Sequence, residues 1–303
     1  MLKYVAAAQA LRAFSATDGT RRLYRSLANR VGGKNRGAAM RPGYITRAER
    51  NLRFIEECGT IHDGMHAVEL GTGWVHWEAF YTRLFYDVQF TLFDVWDNRQ
   101  FVGFLNYARQ LRLRLRDEVD RPEADLVKAE ALIDQALSMK SFEDFYRWLG
   151  WRYVIEPTGS LRDIEDSSID LIISSDVLEH VDAGAVKGLT HDMYRILRQG
   201  GAASQQIVEG DHLCIYDRAV HPKNYIRYTD RQWRWFFENQ VQYVNRIQHS
   251  EWVQLFRSGG FEIVADRITE RADLAGIRVS PRFAGYSDDD LAGTVSSILI
   301  RKP

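Results

Sequence analysis

Apolar and polar positions follow two different periods along this chain, and the switches between them outline its elements. Up to residue 64 the period is helical. Leu11, Phe14, Leu23, Leu27, Leu52 and Ile55 recur among charges at roughly helical spacing, with Gly32-Gly33 and Pro42-Gly43 as punctuation. From residue 65 on, short continuous apolar runs predict buried strands at 67–70, 88–93, 151–155, 169–174, 202–208, 261–268 and 294–300. Between them lie helical patterns: one through Phe80 and Leu84, one over 185–197, and one carrying Trp252 to Phe256. Gly200-Gly201 and Gly259-Gly260 are expected to stop the last two. Alternating strands and helices call for a mostly parallel sheet.

One helical stretch is longer than a compact alternating domain needs. Residues 99–149 carry Phe101, Phe104, Leu105, Ala108, Leu111 and Leu115, break at Pro122, and resume with Leu126, Ala129, Leu132, Ile133 and Leu137. It reads as an insertion that covers a ligand cleft, or alternatively as a packing arm for dimer contacts.

With 303 residues, 45% of them hydrophobic and 27% charged, the chain can bury a large core. Two cysteines, Cys58 and Cys214, build no disulfide framework and lack metal-ligand spacing, so a reducing compartment is expected, the cytoplasm. No run of about 20 apolar residues is present to cross a membrane. Net charge is −1, yet it is uneven: between Arg21 and Arg53 the only acid is Glu49, against Arg21, Arg22, Arg25, Arg30, Lys34, Arg36, Arg41, Arg47, Arg50 and Arg53. Such a segment suits phosphates of a nucleotide-linked substrate, a lipid headgroup or a nucleic acid, or is a solvated helical surface. The acid-poor first 37 residues also resemble a mitochondrial transit peptide, a pattern that Asp18 interrupts.

The chemistry concentrates at the first strand. Gly71 and Gly73 follow it directly and allow a tight turn and close approach to a ligand. Asp94 ends the next strand, 94 − 71 = 23 positions after Gly71, near the about 20 expected for a ribose acceptor. Glu69 before the first glycine, and Trp74 in place of a further close glycine, turn the reading away from a dinucleotide fingerprint.

Glu69-Leu70-Gly71-Thr72-Gly73 resembles motif I of the class I S-adenosylmethionine-dependent methyltransferases. Three further features fit in order: Asp94; the run Ser167 to Val181, containing Asp176-Val177-Leu178-Glu179-His180; and Arg195-Ile196-Leu197-Arg198-Gln199-Gly200-Gly201, similar to the family's R-x-L-x-P-G-G turn with Gln199 for proline. The resemblance covers about residues 65 to 210 and the last 50. It implies an α/β fold: a doubly wound, mostly parallel, seven-stranded Rossmann-like sheet with an antiparallel last strand, preceded by a helical arm over 1–64. The catalytic domain would be 65–303, with the insertion at 99–149 and a substrate-loop segment at 211–250. The implied cofactor is S-adenosyl-L-methionine. Gly71, Thr72 and Gly73 would approach its methionine part, Glu69 would hold its amino group, and Asp94 would accept from both ribose hydroxyls. Val95 would contact adenine; Ser160, Leu161 and Ser175 complete the expected cofactor set, although Ser160-Leu161 stand at a place where the family commonly has an acid. A looser likeness of 1–64 and 212–245 points to bacterial enzymes of polysaccharide or secondary metabolism.

Methyl transfer from a sulfonium is an in-line displacement that needs positioning and exclusion of water; a hydroxyl acceptor also needs a base. His180 follows the fourth strand at the sheet edge where ligands bind, with packing of the next helix as its alternative role. Past the fifth strand, Asp211, His212, Asp217, His221, Asn224, Tyr225, Arg227 and Tyr228 offer pocket chemistry. His212 and His221 are base candidates, Asp211 and Asp217 could orient them, and Arg227 and Tyr228 complete the substrate side, Arg227 by pairing with an anionic group. Aspartates and asparagines in that segment also suit plain turns. Glu179, His180, Asp211, His212 and His221 are metal-capable types without tight metal-ligand spacing, so no metal is expected.

Trp233, Phe236 and Phe237 recur at helical spacing and read as core, and near-neutral charge argues against nucleic acid. The expected partner is a small-molecule acceptor, anionic or sugar-linked, with O-methylation the favoured chemistry; a homo-oligomer is compatible with the sequence. The competing readings are a nicotinamide-dependent oxidoreductase, which lacks here both a third close glycine and a Tyr-x-x-x-Lys pair, and a non-catalytic cofactor-binding or scaffold protein.

Overall fold

A computed structural model describes residues 1–303. Seven strands form one sheet: β1 (His66–Leu70), β2 (Gln89–Asp94), β3 (Arg152–Ile155), β4 (Ile169–Ser175), β5 (Leu197–Val208), β6 (Glu262–Arg271) and β7 (Gly293–Arg301). Their order is β3-β2-β1-β4-β5-β7-β6. The pairings from β3 through β5 are parallel, and β7 runs antiparallel between β5 and β6. This is the expected doubly wound sheet with an antiparallel last strand.

Eleven helices surround it: α1 (Leu2–Ser15), α2 (Asp18–Ala38), α3 (Tyr44–Glu57), α4 (Trp77–Phe85), α5 (Phe101–Glu118), α6 (Glu123–Leu137), α7 (Phe142–Leu149), α8 (Val186–Ile196), α9 (Asp230–Phe236), α10 (His249–Ser258) and α11 (Asp288–Ala292). Local chemistry sets several starts. Thr17 with Thr20, and Thr229 with Gln232, form capping boxes, and Ser141 caps α7 through the Asp144 amide.

Alternation along each strand splits the core between the sheet's faces. Ala67, Leu171, Ile173, Ala202 and Leu299 pack under α3 to α7, whereas Val68, Leu70, Ile172, Ala203, Ile298 and Ile300 pack with α8 and α10. The long insertion is α5, α6 and α7, and its aromatic residues Phe104, Phe142 and Phe145 join the first of these cores. A third cluster joins α1 to the segment after β5, with Tyr4, Leu11, Tyr225, Trp233, Phe237 and Phe283. The helical reading of Trp233 as core therefore holds, whereas Phe236 is exposed.

The expected glycine stop at Gly200-Gly201 is corrected. The helix ends at Ile196, and Leu197 passes directly into β5. The glycines lie inside that strand's irregular start, where the β4 register shifts between Ile169 and Leu171. Pairing with the end of the chain captures them: the Gly200 amide donates to the Lys302 carbonyl at 2.8 Å and the Lys302 amide to that of Gly201 at 2.9 Å. A Cβ on Gly201 would lie 2.9 Å from the Arg198 carbonyl oxygen, so the crossing needs glycine there.

Candidate functional site

The loops that leave the carboxyl ends of β1, β2, β4 and β5 meet on one edge of the sheet. After β1, Gly71 and Gly73 both adopt left-handed backbone, φ 64° and 63°. The need at Gly71 is also steric, because a Cβ there would stand 2.5 Å from Cγ2 of Val177 in the loop after β4. Amides of Gly71 and Thr72 donate to the Phe93 carbonyl at 2.8 and 3.1 Å, which binds the loop to β2.

Asp94 closes the same turn from β2. Its Oδ2 accepts from the Gly73 amide at 3.0 Å and its Oδ1 from the Val95 amide at 2.7 Å. Burial raises its pKa, while those amides hold the shift in check. Gly71, Gly73, Asp94 and Val95 are thus brought together.

Glu69 points elsewhere, into the protein. Burial lifts its carboxyl to about 8, and its Oε2 accepts from the Thr72 hydroxyl at 2.5 Å. That donation leaves the Thr72 oxygen to accept from Nδ1–H of His76 at 2.7 Å, and His76 Nε2 then accepts from the Tyr146 hydroxyl at 2.6 Å. A buried chain of hydrogen bonds so runs from the insertion to Glu69, two residues before the first glycine. His76 is wholly buried and non-helical at φ 48°. Burial, and after it the nearby Arg99 charge, push its pKa down to about 3.

Helix α2 lies over these loops. Trp74 Nε1 donates to Asn29 Oδ1 at 3.1 Å, Arg36 stacks 4.0 Å above the Trp74 ring, and Arg25 stacks 3.5 Å above Trp96. Arg36 also donates to Gln100 at 2.6 Å. The basic segment is therefore partly spent on aromatic and polar contacts within the chain.

Ser160 and Leu161 stand farther along the edge, both tied to Asp192 of α8: the Ser160 hydroxyl at 3.2 Å and the Leu161 amide at 2.9 Å from Oδ2. Leu161 is buried. Ser175 accepts from Asn51 Nδ2 at 3.3 Å, on the α3 side of the sheet.

Among the histidines, geometry separates His221 from the others. Its Nδ1 accepts from the Lys223 amide at 2.9 Å and its Nε2 donates to the Asp273 carbonyl at 2.6 Å. Both ring nitrogens are thus spent, which removes it as a free proton acceptor and corrects that expectation. His180 and His212 instead meet, with ring centroids 4.8 Å apart. His180 Nδ1 donates to the Tyr243 carbonyl at 2.6 Å, and burial pushes His212 down to about 3. Glu179 completes the group, 2% exposed and with neither carboxylate oxygen in a hydrogen bond.

The remaining candidates do not converge on those histidines. Asp211 accepts from the Tyr4 hydroxyl at 2.7 Å and the Leu213 amide at 3.0 Å, with burial lifting it to about 6. Asp217 pairs with the Met1 ammonium. Tyr228 packs 4.5 Å from Phe237, and Arg227 is exposed. The segment is anchored by a buried lysine: Lys223 Nζ donates to Gln248 Oε1 and to the carbonyls of Glu209 and Gly293 at 2.7 to 3.1 Å.

Sequence reasoning did not single out the lining of the open cavity on this edge, about 400 Å³ in volume, whose wall includes Tyr44, Arg47, Arg50, Asp176, Gln206 and Val208. Arg47 bridges Glu78 and Asp176, each at 2.8 Å. Arg50 reaches Glu270 at 3.2 Å and Gln206 at 3.3 Å. The basic run between Arg21 and Arg53 was the available signal, but it could not say which arginines reach the sheet edge.

Residues 127–204 match a family profile described as "Methyltransferase domain". No curated protein matches the sequence. Solved structures with a similar outline include the phosphoethanolamine N-methyltransferase 2 of Haemonchus contortus in complex with S-adenosyl-L-methionine, at 14% identity and TM-score 0.46, over 84% of this chain and 52% of that one. The chain thus spans about half the length of that protein. Others are the 1,6-didemethyltoxoflavin-N1-methyltransferase of Burkholderia thailandensis, at 15% identity and TM-score 0.44 over 84% and 78% of the two chains, and the cyclase SpnF, at 14% and 0.46 over 84% and 80%.

Proposed function

We propose that this chain, whose residues 127–204 match a methyltransferase domain, transfers a methyl group from S-adenosylmethionine to a small molecule, with a hydroxyl of a sugar or natural product as the favoured acceptor. One observation carries the reading: two left-handed glycines, Gly71 and Gly73, stand against Asp94 at the carboxyl edge of adjacent parallel strands. That edge is where open α/β sheets receive ligands. Asp94 would exchange the Gly73 amide for ribose hydroxyls, and the bare Cα of Gly73, with no side chain in its Cβ direction, would admit the amino-acid part.

The acceptor would occupy the neighbouring cavity, where Arg50 is placed to pair with an anionic substituent. In the transfer, the acceptor oxygen forms a bond to the methyl carbon as the carbon–sulfur bond breaks. Its electron pair stays on sulfur, which turns the sulfonium into a neutral thioether. The proton lost from the hydroxyl would leave to solvent on the His180 and His212 side of the edge, since His221 has no free nitrogen.

A scaffold role is the second reading, favoured by the close cover of α2 over the Trp74 loop. Calorimetric titration with S-adenosylhomocysteine, and with NAD in parallel, tests both. Micromolar binding of the former alone supports the transferase; NAD binding alone points to an oxidoreductase; binding of neither supports the scaffold.

A further inference from the structure

We propose that Glu179, His180 and His212 form a binding site for a divalent transition-metal cation of the zinc type, between the loops that follow β4 and β5. One donor atom from each side chain lies within 4.8 Å of the other two. Around a tetrahedral ion with bonds of about 2.1 Å such atoms sit roughly 3.4 Å apart, so the donors would draw closer together on binding an ion.

Three observations point to a ligand, beyond proximity. Glu179 is buried, yet no hydrogen bond of ordinary geometry reaches either carboxylate oxygen. A carboxylate left so is costly without a counter-charge. His180 donates Nδ1–H to the Tyr243 carbonyl, the outer bond that fixes the tautomer of a metal-bound imidazole and leaves Nε2 as the ligand atom. No hydrogen bond in the chain engages the His212 ring, so it too has a nitrogen to give.

The loop that carries two of the ligands is held from behind. Asn245 Nδ2 donates to the carbonyls of Leu178 at 2.8 Å and Val181 at 3.1 Å, and its amide donates to that of Glu179 at 2.9 Å. Two imidazoles and one carboxylate suit zinc-type ions better than magnesium or calcium, which prefer all-oxygen shells. Three protein ligands also leave a coordination position for an outside molecule.

What occupies that position rests on the methyltransferase reading. An acceptor hydroxyl bound there would be acidified and lose its proton to solvent. The oxygen then forms its bond to the methyl carbon while the carbon–sulfur bond breaks towards sulfur. The products are the methyl ether, S-adenosylhomocysteine and the released proton.

The test uses the full chain, freed of metal with a chelator and titrated with Zn²⁺ against a chromophoric competitor. The expected result is one tight equivalent per chain, weakened about a hundredfold or more by Glu179→Gln or His212→Ala and unaffected by the exposed His191→Ala. Unchanged affinity in folded Glu179→Gln and His212→Ala overturns the site. Should those variants fail to fold, Co²⁺ bound to the unaltered chain decides: intense visible bands of a four- or five-coordinate ion support the site, and the weak spectrum of the aquo ion overturns it. S-adenosylhomocysteine binding is measured on the same samples. Zn²⁺ uptake without it would refute the transferase reading alone; its binding without Zn²⁺ uptake would refute the metal site alone.

Discussion

The hydroxyl of Tyr146 lies 2.6 Å from Nε2 of His76, although 70 residues separate them. Through Thr72 the connection continues to Glu69, so the helical insertion supports the glycine turn by hydrogen bonding as well as by apolar contact. Removing the hydroxyl leaves a buried ring nitrogen without a donor. Tyr146→Phe should cost about 1 to 3 kcal/mol of stability in urea denaturation and weaken S-adenosylhomocysteine binding in parallel. Unchanged stability would show that the chain of bonds carries no energy.

His76 makes stability depend on pH in a direction the geometry fixes. The unfolded imidazole takes up a proton below about 6.5, whereas the folded one stays neutral down to about 3. In that window the unfolded state binds more protons, so stability falls as pH drops from 6.5 towards 3 and recovers as it rises. His76→Asn keeps a side chain that tolerates positive φ. It should be less stable than the parent at pH 7 and show a shallower decline between pH 7 and 5. An equally steep decline would assign the effect to other groups.

Gly71 should tolerate no side chain while Val177 stays as it is. Gly71→Ala adds both positive-φ strain and a contact at 2.5 Å, a loss of about 1 to 3 kcal/mol. Trimming the neighbour in Gly71→Ala with Val177→Ala removes the contact and leaves the strain. Part of the loss should therefore return, measured as denaturation midpoint; a purely additive pair of effects would show that the two loops are not in contact.

Asp94→Ala should raise the dissociation constant for S-adenosylhomocysteine by more than about tenfold, as expected for loss of charge-assisted bonds to two hydroxyls. The same substitution frees the Gly73 and Val95 amides, so thermal melting is measured alongside. An unaltered constant would remove Asp94 from the cofactor site.

Much of the sheet could be read from the chain because its strands are short apolar runs set off by turn residues. The seven strands, their helices and the antiparallel closing strand follow from that pattern and from the ordered motifs. Gly200-Gly201 misled because a glycine pair serves equally to stop a helix or to let a strand kink, and pairing with Lys302 decided the matter. At the site, Gly71 and Asp94 were legible because backbone chemistry restricts which residue serves there. His76 and Tyr146 carried no sequence signal, since only the docking of α7 brings them together. Glu179, His180 and His212 have no metal-ligand spacing along the chain; their nearness is created by the adjacency of β4 and β5.

The arginine stacks over Trp74 and Trp96 give helix α2 a further property. An indole under a guanidinium emits differently from one facing water, and both indoles flank the turn formed by Gly71, Gly73 and Asp94. Native fluorescence, compared with that of Trp74→Phe and Trp96→Phe, should therefore report whether the helix stays seated or lifts when a nucleotide arrives. The two stacked indoles thus offer an optical probe of the contact between α2 and the glycine turn without an added label.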